Sequence, residues 1–328
     1  MLRLPSLDVV KPQSLAAALM TLGAEPEVKV LAGGTDLVVA LKYGLNSERT
    51  LLSLEKVPLS YIRYREGMVE VGATTTLWDL CRHPFPGSGF AALVKAASLV
   101  AAPPIRSRAT VGGNLLLDTR CHFYNQSAFW RSSRPACFKA GGDRCHAVPG
   151  SATCHACHMS DLAPVLIAMG AAVALESSNG KRLLPLEELY TGDGKKPLSL
   201  AGDELLTSVS LPLPAEGAAT GFEKLRMRKG LDFAFASAAV SLARGPDGGC
   251  ADSKVVLGAL GSGPIRVFAA EEALNGSALG EAALEAAAEA ALKAARPVKN
   301  SDLTPAYRRK MAGVAVKRAA RAAWEAVS

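Results

Sequence analysis

Two sets of residues in this chain are spaced so that they could do chemistry. The first are thiols. The chain has 328 residues and seven cysteines, and five of these, Cys121, Cys137, Cys145, Cys154 and Cys157, fall in one stretch that also holds His122, His146, His155 and His158, four of the five histidines. Several thiols gathered in one segment, where no disulfide is expected, call for a metal centre. The second are glycines. Leu31-Ala32-Gly33-Gly34-Thr35-Asp36-Leu37 and Thr110-Val111-Gly112-Gly113-Asn114 each set a Gly-Gly pair beside small polar side chains. Glycine has no Cβ and reaches positive φ, so such pairs let backbone N–H groups close on phosphate oxygens. Either pair alone reads equally well as a tight turn, and the G-x-G-x-x-G spacing of a Rossmann site is absent. Two pairs together suit a diphosphate gripped from two loops.

Three metal chemistries fit the thiols. A [4Fe–4S] cluster needs four thiolates and tolerates irregular spacing, because the cluster itself organises the loop. Zinc favours paired C-x-x-C elements, of which only Cys154 and Cys157 form one, although the histidines supply further ligands. Cys154-His155-Ala156-Cys157-His158 also fits the C-x-x-C-H of covalent haem, an attachment typical of exported chains.

A framework must hold these residues. Half the chain is apolar (49%) and a fifth charged (20%), a globular composition with ample core. Apolar runs such as residues 163–174, interrupted by Pro164 and Gly170, are shorter than the roughly 20 residues of a membrane span. Met1-Leu2-Arg3-Leu4-Pro5 has no hydrophobic stretch of signal type, so the expectation is a cytoplasmic chain with no membrane association. The net charge is +7, from 37 basic and 30 acidic residues, with few aromatics. That balance suggests an acidic partner, and no nucleic-acid motif accompanies it.

The patterning predicts a helix capped by Ser14 and ended by Gly23, a strand over 28–32 and a helix over 37–42. A strand over 68–72 then leads to Thr76, which caps a helix starting at Leu77. A helix over 90–101 breaks at Pro103-Pro104. From Asp118 to His158 no period is visible, so something other than a core must order that stretch. Regularity returns with a helix over 163–169, a strand over 172–176, a hairpin turn at Asn179-Gly180 and a strand over 205–211. Beyond Pro214 the pattern is α+β, with strands over 234–243 and 254–260 and helices over 281–295 and 305–326.

With these motifs in this order, the chain resembles the FAD-binding subunits of the xanthine oxidase family of molybdenum hydroxylases. The resemblance rests on the two glycine elements, on Ser160-Asp161-Leu162-Ala163-Pro164 and on Phe222-Glu223-Lys224-Leu225-Arg226. It implies an α+β fold. A two-part FAD-binding domain of PCMH type would comprise a small α/β subdomain (1–58) and a larger α+β subdomain (59–214) with a loop inserted at 118–158. A C-terminal α+β domain of CO dehydrogenase flavoprotein type (215–328) would follow. It further implies that residues 31–37, with Gly112 and Gly113, bind the FAD pyrophosphate, and that Thr110 and Asn114 bond phosphate or ribityl oxygens. Asp161 would face the ribityl chain or ring, and Lys224 would lie near the isoalloxazine. The local alternatives are a helix cap for Asp161 and a surface salt bridge for Lys224.

The cysteine insertion narrows the resemblance. Its gaps of 16 (Cys121 to Cys137), 8 (Cys137 to Cys145) and 9 (Cys145 to Cys154) are similar to those of the flavin subunits of 4-hydroxybenzoyl-CoA reductases, which carry a [4Fe–4S] cluster there. This implies Cys121, Cys137, Cys145 and Cys154 as ligands, with Cys157 an extra thiol. It implies a molybdopterin-binding large subunit that holds the substrate, so that no catalytic residue lies in this chain. A small subunit with two [2Fe–2S] clusters, a dimer of heterotrimers and reduced ferredoxin as electron donor complete that picture, the reaction being removal of a phenolic hydroxyl to give benzoyl-CoA. Arg120, Arg131, Arg134, Lys139 and Arg144 make the loop basic, which suggests a docking face for ferredoxin. Two alternatives stay open: the same kind of subunit in another hydroxylase acting on an N-heterocycle or aromatic substrate, and a metal-stabilised assembly module without redox function.

Overall fold

The computed structural model describes residues 3–25 and 27–327. Met1 and Leu2, on which the reading of the N-terminus partly rests, lie outside the described residues, as do Pro26 and Ser328. The chain builds three sheets in sequence order. The first is parallel, in the order β1–β3–β2, from β1 (Asp8–Val10), β2 (Lys29–Leu31) and β3 (Thr50–Ser53). Between them run α1 (Leu15–Ala24) and α2 (Leu37–Lys42). The Ser14 hydroxyl caps α1 by accepting from the Ala17 amide. A small core of Ala18, Leu19, Leu22, Leu52 and Val57 lies under this sheet.

The second unit is a five-stranded sheet in the order β4–β5–β8–β6–β7, made of β4 (Ile62–Arg65), β5 (Met68–Gly72), β6 (Ala172–Ser177), β7 (Gly180–Pro185) and β8 (Leu205–Pro212). All its pairings are antiparallel. The sequence between β5 and β6 supplies α3 (Leu77–Arg82), α4 (Ala91–Ser98), α5 (Pro103–Arg106), α6 (Val111–Leu115), α7 (Ala128–Ser132) and α8 (Leu162–Ala168). Every residue of α8 is buried, which explains why its sequence is apolar on all sides. Pro103 and Pro104 do not merely stop a helix. They open α5, where the missing N–H groups of the first turn cost nothing.

The third unit packs the sheet β12–β11–β10–β9 against three helices. Its elements are β9 (Ala218–Leu225), β10 (Ala236–Arg244), β11 (Cys250–Gly258), β12 (Ile265–Arg266), α9 (Phe268–Leu274), α10 (Glu281–Ala294) and α11 (Pro305–Ala326). Alanine-rich faces let helix and sheet approach closely: a Cβ on Gly221 of β9 would lie 2.0 Å from the Ala319 carbonyl oxygen of α11. Phe222, Ala239 and Val256 of this sheet join the core of the second unit, so the two share a packed, apolar boundary. Strand β9, which periodicity missed, carries Lys224 into that boundary. Among the described residues no helix is long and apolar enough to cross a membrane.

Candidate functional site

The first glycine loop leaves β2 and enters α2. Gly34 has φ +73, a conformation that favours glycine. At Gly33 the requirement is space: a Cβ there would lie 1.8 Å from the Arg108 carbonyl oxygen and 2.6 Å from its carbon. Only glycine lets this loop pack on the backbone leading into α6, so the two glycine elements meet in space. The backbone N–H groups of Gly33, Gly34, Thr35 and Asp36 have no acceptor among the described residues. All of residues 31–37 are half-buried. Consecutive amides left without partners make a concavity for an anion.

The second glycine pair differs from the loop that its sequence suggests. Thr110 caps α6, and both glycines lie in that helix's first turn. The Gly112 amide donates to the Ala73 carbonyl (2.8 Å) and the Gly113 amide to the Thr110 hydroxyl (3.1 Å). Gly112 is needed for close approach, since its Cβ would sit 2.9 Å from the Ala73 carbonyl oxygen. Buried Asn114 accepts through Oδ1 from the Ser160 hydroxyl (2.7 Å) and from the Leu162 amide (3.3 Å). Asn114 therefore braces the start of α8 and the Ser160-Asp161 step, while Thr110 caps the helix that carries Asn114.

Asp161 stands at the cap position of α8, yet its carboxylate makes no capping bond. It meets Lys224 Nζ at 2.5 Å, and Lys224 also donates to the Leu99 carbonyl at 2.9 Å. The two side chains are 8% and 1% exposed, so the pair is buried between the second and third units rather than lying on the surface. Burial pushes the Asp161 carboxyl up to about 6, against the pull of the Lys224 charge.

Cys121, Cys137, Cys145 and Cys154 line one small cavity, together with aromatic side chains including Phe123 and Tyr124. Burial pushes the Cys121 thiol up to about 11, and the neighbouring thiols add to the rise; burial raises Cys154 as well. Cys157 is not among the residues lining that cavity. It is buried, and the Arg308 guanidinium approaches its sulfur at 3.9 Å. His146 and His155 border the cavity but bond elsewhere, to the Pro135 carbonyl and the Ser151 hydroxyl, each at 2.8 Å. Among the described residues, no group of three or more His, Cys, Asp or Glu stands close enough together to hold a metal ion.

A family model described as the FAD binding domain in molybdopterin dehydrogenase matches residues 5–214, and the CO dehydrogenase flavoprotein C-terminal domain matches residues 222–323. The chain belongs to the FAD-binding subunits of the xanthine oxidase-type molybdenum hydroxylases. The FAD-binding subunit of an aldehyde oxidoreductase from Escherichia coli K12 is 33% identical over 270 residues, 79% of this chain and 83% of that one. The carbon monoxide dehydrogenase medium chain of Afipia carboxidovorans is 29% identical over 317 residues, 96% and 95% of the two chains. A structure of carbon monoxide dehydrogenase from Hydrogenophaga pseudoflava superposes with a TM-score of 0.81 at 28% identity, covering 99% of this chain and all of that one. FAD-binding subunits of this family work as part of multi-subunit molybdenum enzymes, and this one is an oxidoreductase subunit.

The basic residues of the cysteine loop are mostly engaged within the subunit. Lys139 is buried against Asp118, Thr119 and Gly194. Arg131 donates to the carbonyls of Gln126 (2.5 Å) and Gly44 (2.7 Å). Arg134 stacks on Trp130, and Arg144 pairs with its neighbour Asp143. Arg120 pairs with Asp36 of the first glycine loop. Counting charge along the sequence made this loop a docking face; the folded chain spends most of that charge on itself. Sequence reading gave no role to Tyr190, whose ring lies tilted against that of His158 with centroids 4.8 Å apart. His158 is one of the four histidines that left zinc open in the sequence; burial holds it neutral and lowers it to about 4.

Proposed function

We propose that this chain is the flavin-carrying electron-transfer subunit of a molybdenum hydroxylase-type complex, holding FAD at its glycine elements and a [4Fe–4S] cluster among Cys121, Cys137, Cys145 and Cys154. The observation that carries the flavin part is the contact at Gly33, which brings the two glycine elements together beside four unpartnered amides. Those amides, at Gly33 to Asp36 between Leu31-Ala32 and Leu37, would take the pyrophosphate. Gly112 and Gly113 would form the adjacent wall, Thr110 would cap the helix they open, and Asn114 would hold Asp161 in position. Lys224, fixed by Asp161 and the Leu99 carbonyl, would place a cation where negative charge on a reduced flavin gains most. Bound FAD would hold one or two electrons, so it could exchange them singly with the iron–sulfur clusters. The boundaries we propose are at residues 58 and 214, between the sheets.

Substrate chemistry belongs to partners in this reading: a molybdopterin-binding large subunit and a small subunit with [2Fe–2S] clusters, assembled as a dimer of heterotrimers. The relatives are named for dehydrogenation of nicotinate, oxidation of aldehydes and oxidation of carbon monoxide, and oxidation of a small N-heterocyclic or aromatic substrate is the first reading. The cysteine insertion favours a second one: a 4-hydroxybenzoyl-CoA reductase in which ferredoxin supplies electrons. Four thiols around one cavity support the cluster common to both readings. Anaerobic purification of the complex tests the proposal. Flavin bands over a broad iron–sulfur shoulder are expected, and turnover with 4-hydroxybenzoyl-CoA and reduced ferredoxin decides between the readings. A colourless preparation refutes both.

A further inference from the structure

The base of the cysteine loop is closed by a bridge in which Arg120 and Cys157 exchange both backbone hydrogen bonds, at 2.8 and 2.7 Å. Arg120 therefore holds a fixed backbone position immediately before Cys121. Its side chain leaves the loop. One terminal nitrogen pairs with Asp36, the residue that ends the first glycine loop and precedes α2. The guanidinium stacks over the ring of Phe233, 4.7 Å away, in the third unit. Its Nε–H is buried with no acceptor among the described residues, and a buried guanidinium donor without a partner is a group that an added anion would satisfy. Two further bonds dock the same loop on the segment that follows α2: the Tyr124 hydroxyl donates to the Leu45 carbonyl (3.1 Å) and Arg131 to the Gly44 carbonyl.

From this geometry we propose that Arg120 is a positioning residue that couples the cysteine cavity to the first glycine loop, so that filling the cavity tightens the hold on FAD. The inference rests on the proposed flavin and cluster sites. When the cluster is in place, Cys121 and the bridge behind it are fixed, Arg120 is fixed with them, and Asp36 is held so that its own amide and the three before it keep one arrangement. Without the cluster, Cys121 and its neighbours are free to move, and Arg120 transmits that freedom to the loop. The Asp36 ion pair is about a third exposed on each side, so the coupling falls at the low end for linked sites, about five-fold in affinity.

A double-mutant cycle on the purified complex tests this, with FAD dissociation constants read by flavin fluorescence alongside iron content. Cys137→Ser, which removes the cluster, is expected to weaken FAD binding about five-fold in the wild-type background and not at all when combined with Arg120→Met. Arg120→Lys, which keeps the ion pair but not the planar stack, is expected to restore part of the coupling. If iron and FAD are both present and the two substitutions weaken FAD binding independently, the coupling is overturned while the proposed sites stand. A wild-type complex that contains FAD but no iron overturns the cluster reading and the coupling with it.

Discussion

The flavin framework and the cysteine loop are ordered in different ways. The framework is built on packed elements: α8 is buried along its whole length, Asn114 and Ser160 are bonded to each other, and Asp161 faces Lys224 across a closed boundary. The loop from Asp118 to His158 contributes few residues to a core, Tyr124, Cys145, Ala156 and Cys157 being its buried apolar ones. It is held at its edges, by the Arg120–Cys157 bridge, by Tyr124 and Arg131 against the segment after α2, and by Asn300, which donates to the His155 carbonyl. A region ordered by packing keeps its shape without a ligand. A region ordered at its edges depends on what its interior holds.

The most extensive structural effect follows from that difference. Removing iron, or replacing Cys137 with Ser, should leave the framework protected and expose residues 118–158 to proteolysis, with cleavage at least about ten-fold faster. Limited digestion followed by mass mapping of the cuts reads this out. Equal protection of both regions would mean that the loop is self-supporting.

The framework should break at its buried charges. Lys224→Met leaves the Asp161 carboxylate buried without a partner, and about 3–5 kcal/mol of stability should be lost. Denaturant unfolding measures it, and adding Asp161→Asn should recover part of the loss. A cost under about 1 kcal/mol would show that water reaches the pair.

Acid should act where the loop rejoins the framework. Burial lowers His158 from 6.5 to about 4, so between those values the unfolded chain takes up a proton that the folded chain refuses. Stability contributed by neutral His158 is complete above pH 6.5 and is lost as pH falls towards 4, by up to about 3 kcal/mol. Asp161 works in the opposite sense: its folded value is raised from 3.8 to about 6, so protonation favours the fold and its contribution shrinks as pH rises through that window. The difference between wild type and His158→Gln isolates the histidine, and identical pH profiles would contradict its buried, neutral state. The most local of these effects belongs to Gly33→Ala. Its Cβ meets the Arg108 backbone, which should cost about 2 kcal/mol of overpacking and raise the FAD dissociation constant about 30-fold. Unchanged affinity would place the pyrophosphate elsewhere.

Most of the regular framework was legible in the sequence because local signals and tertiary packing agree there. Ser14 and Thr76 cap the helices they were expected to cap, and α11 runs over the residues its pattern marks. Strand β9 was missed because its small residues, Ala218, Ala219 and Gly221, are chosen to let α11 approach, and they carry no strand period. The second glycine pair was misjudged in a related way. Thr-Val-Gly-Gly-Asn reads as an open loop by composition, whereas Ala73 and the Thr110 hydroxyl, one of them distant in sequence, absorb both amides. The basic residues of the cysteine loop looked free because their partners, Asp36, Gly44 and Gly194, are remote along the chain.

The central claim is that one chain holds both a flavin and a thiolate-bound iron cluster. Quantifying FAD, iron and zinc per chain in the anaerobically purified complex tests it most directly. The account predicts about one FAD with about four iron atoms and no zinc, the iron disappearing in Cys137→Ser while FAD remains. FAD without iron, or zinc in place of iron, would contradict it.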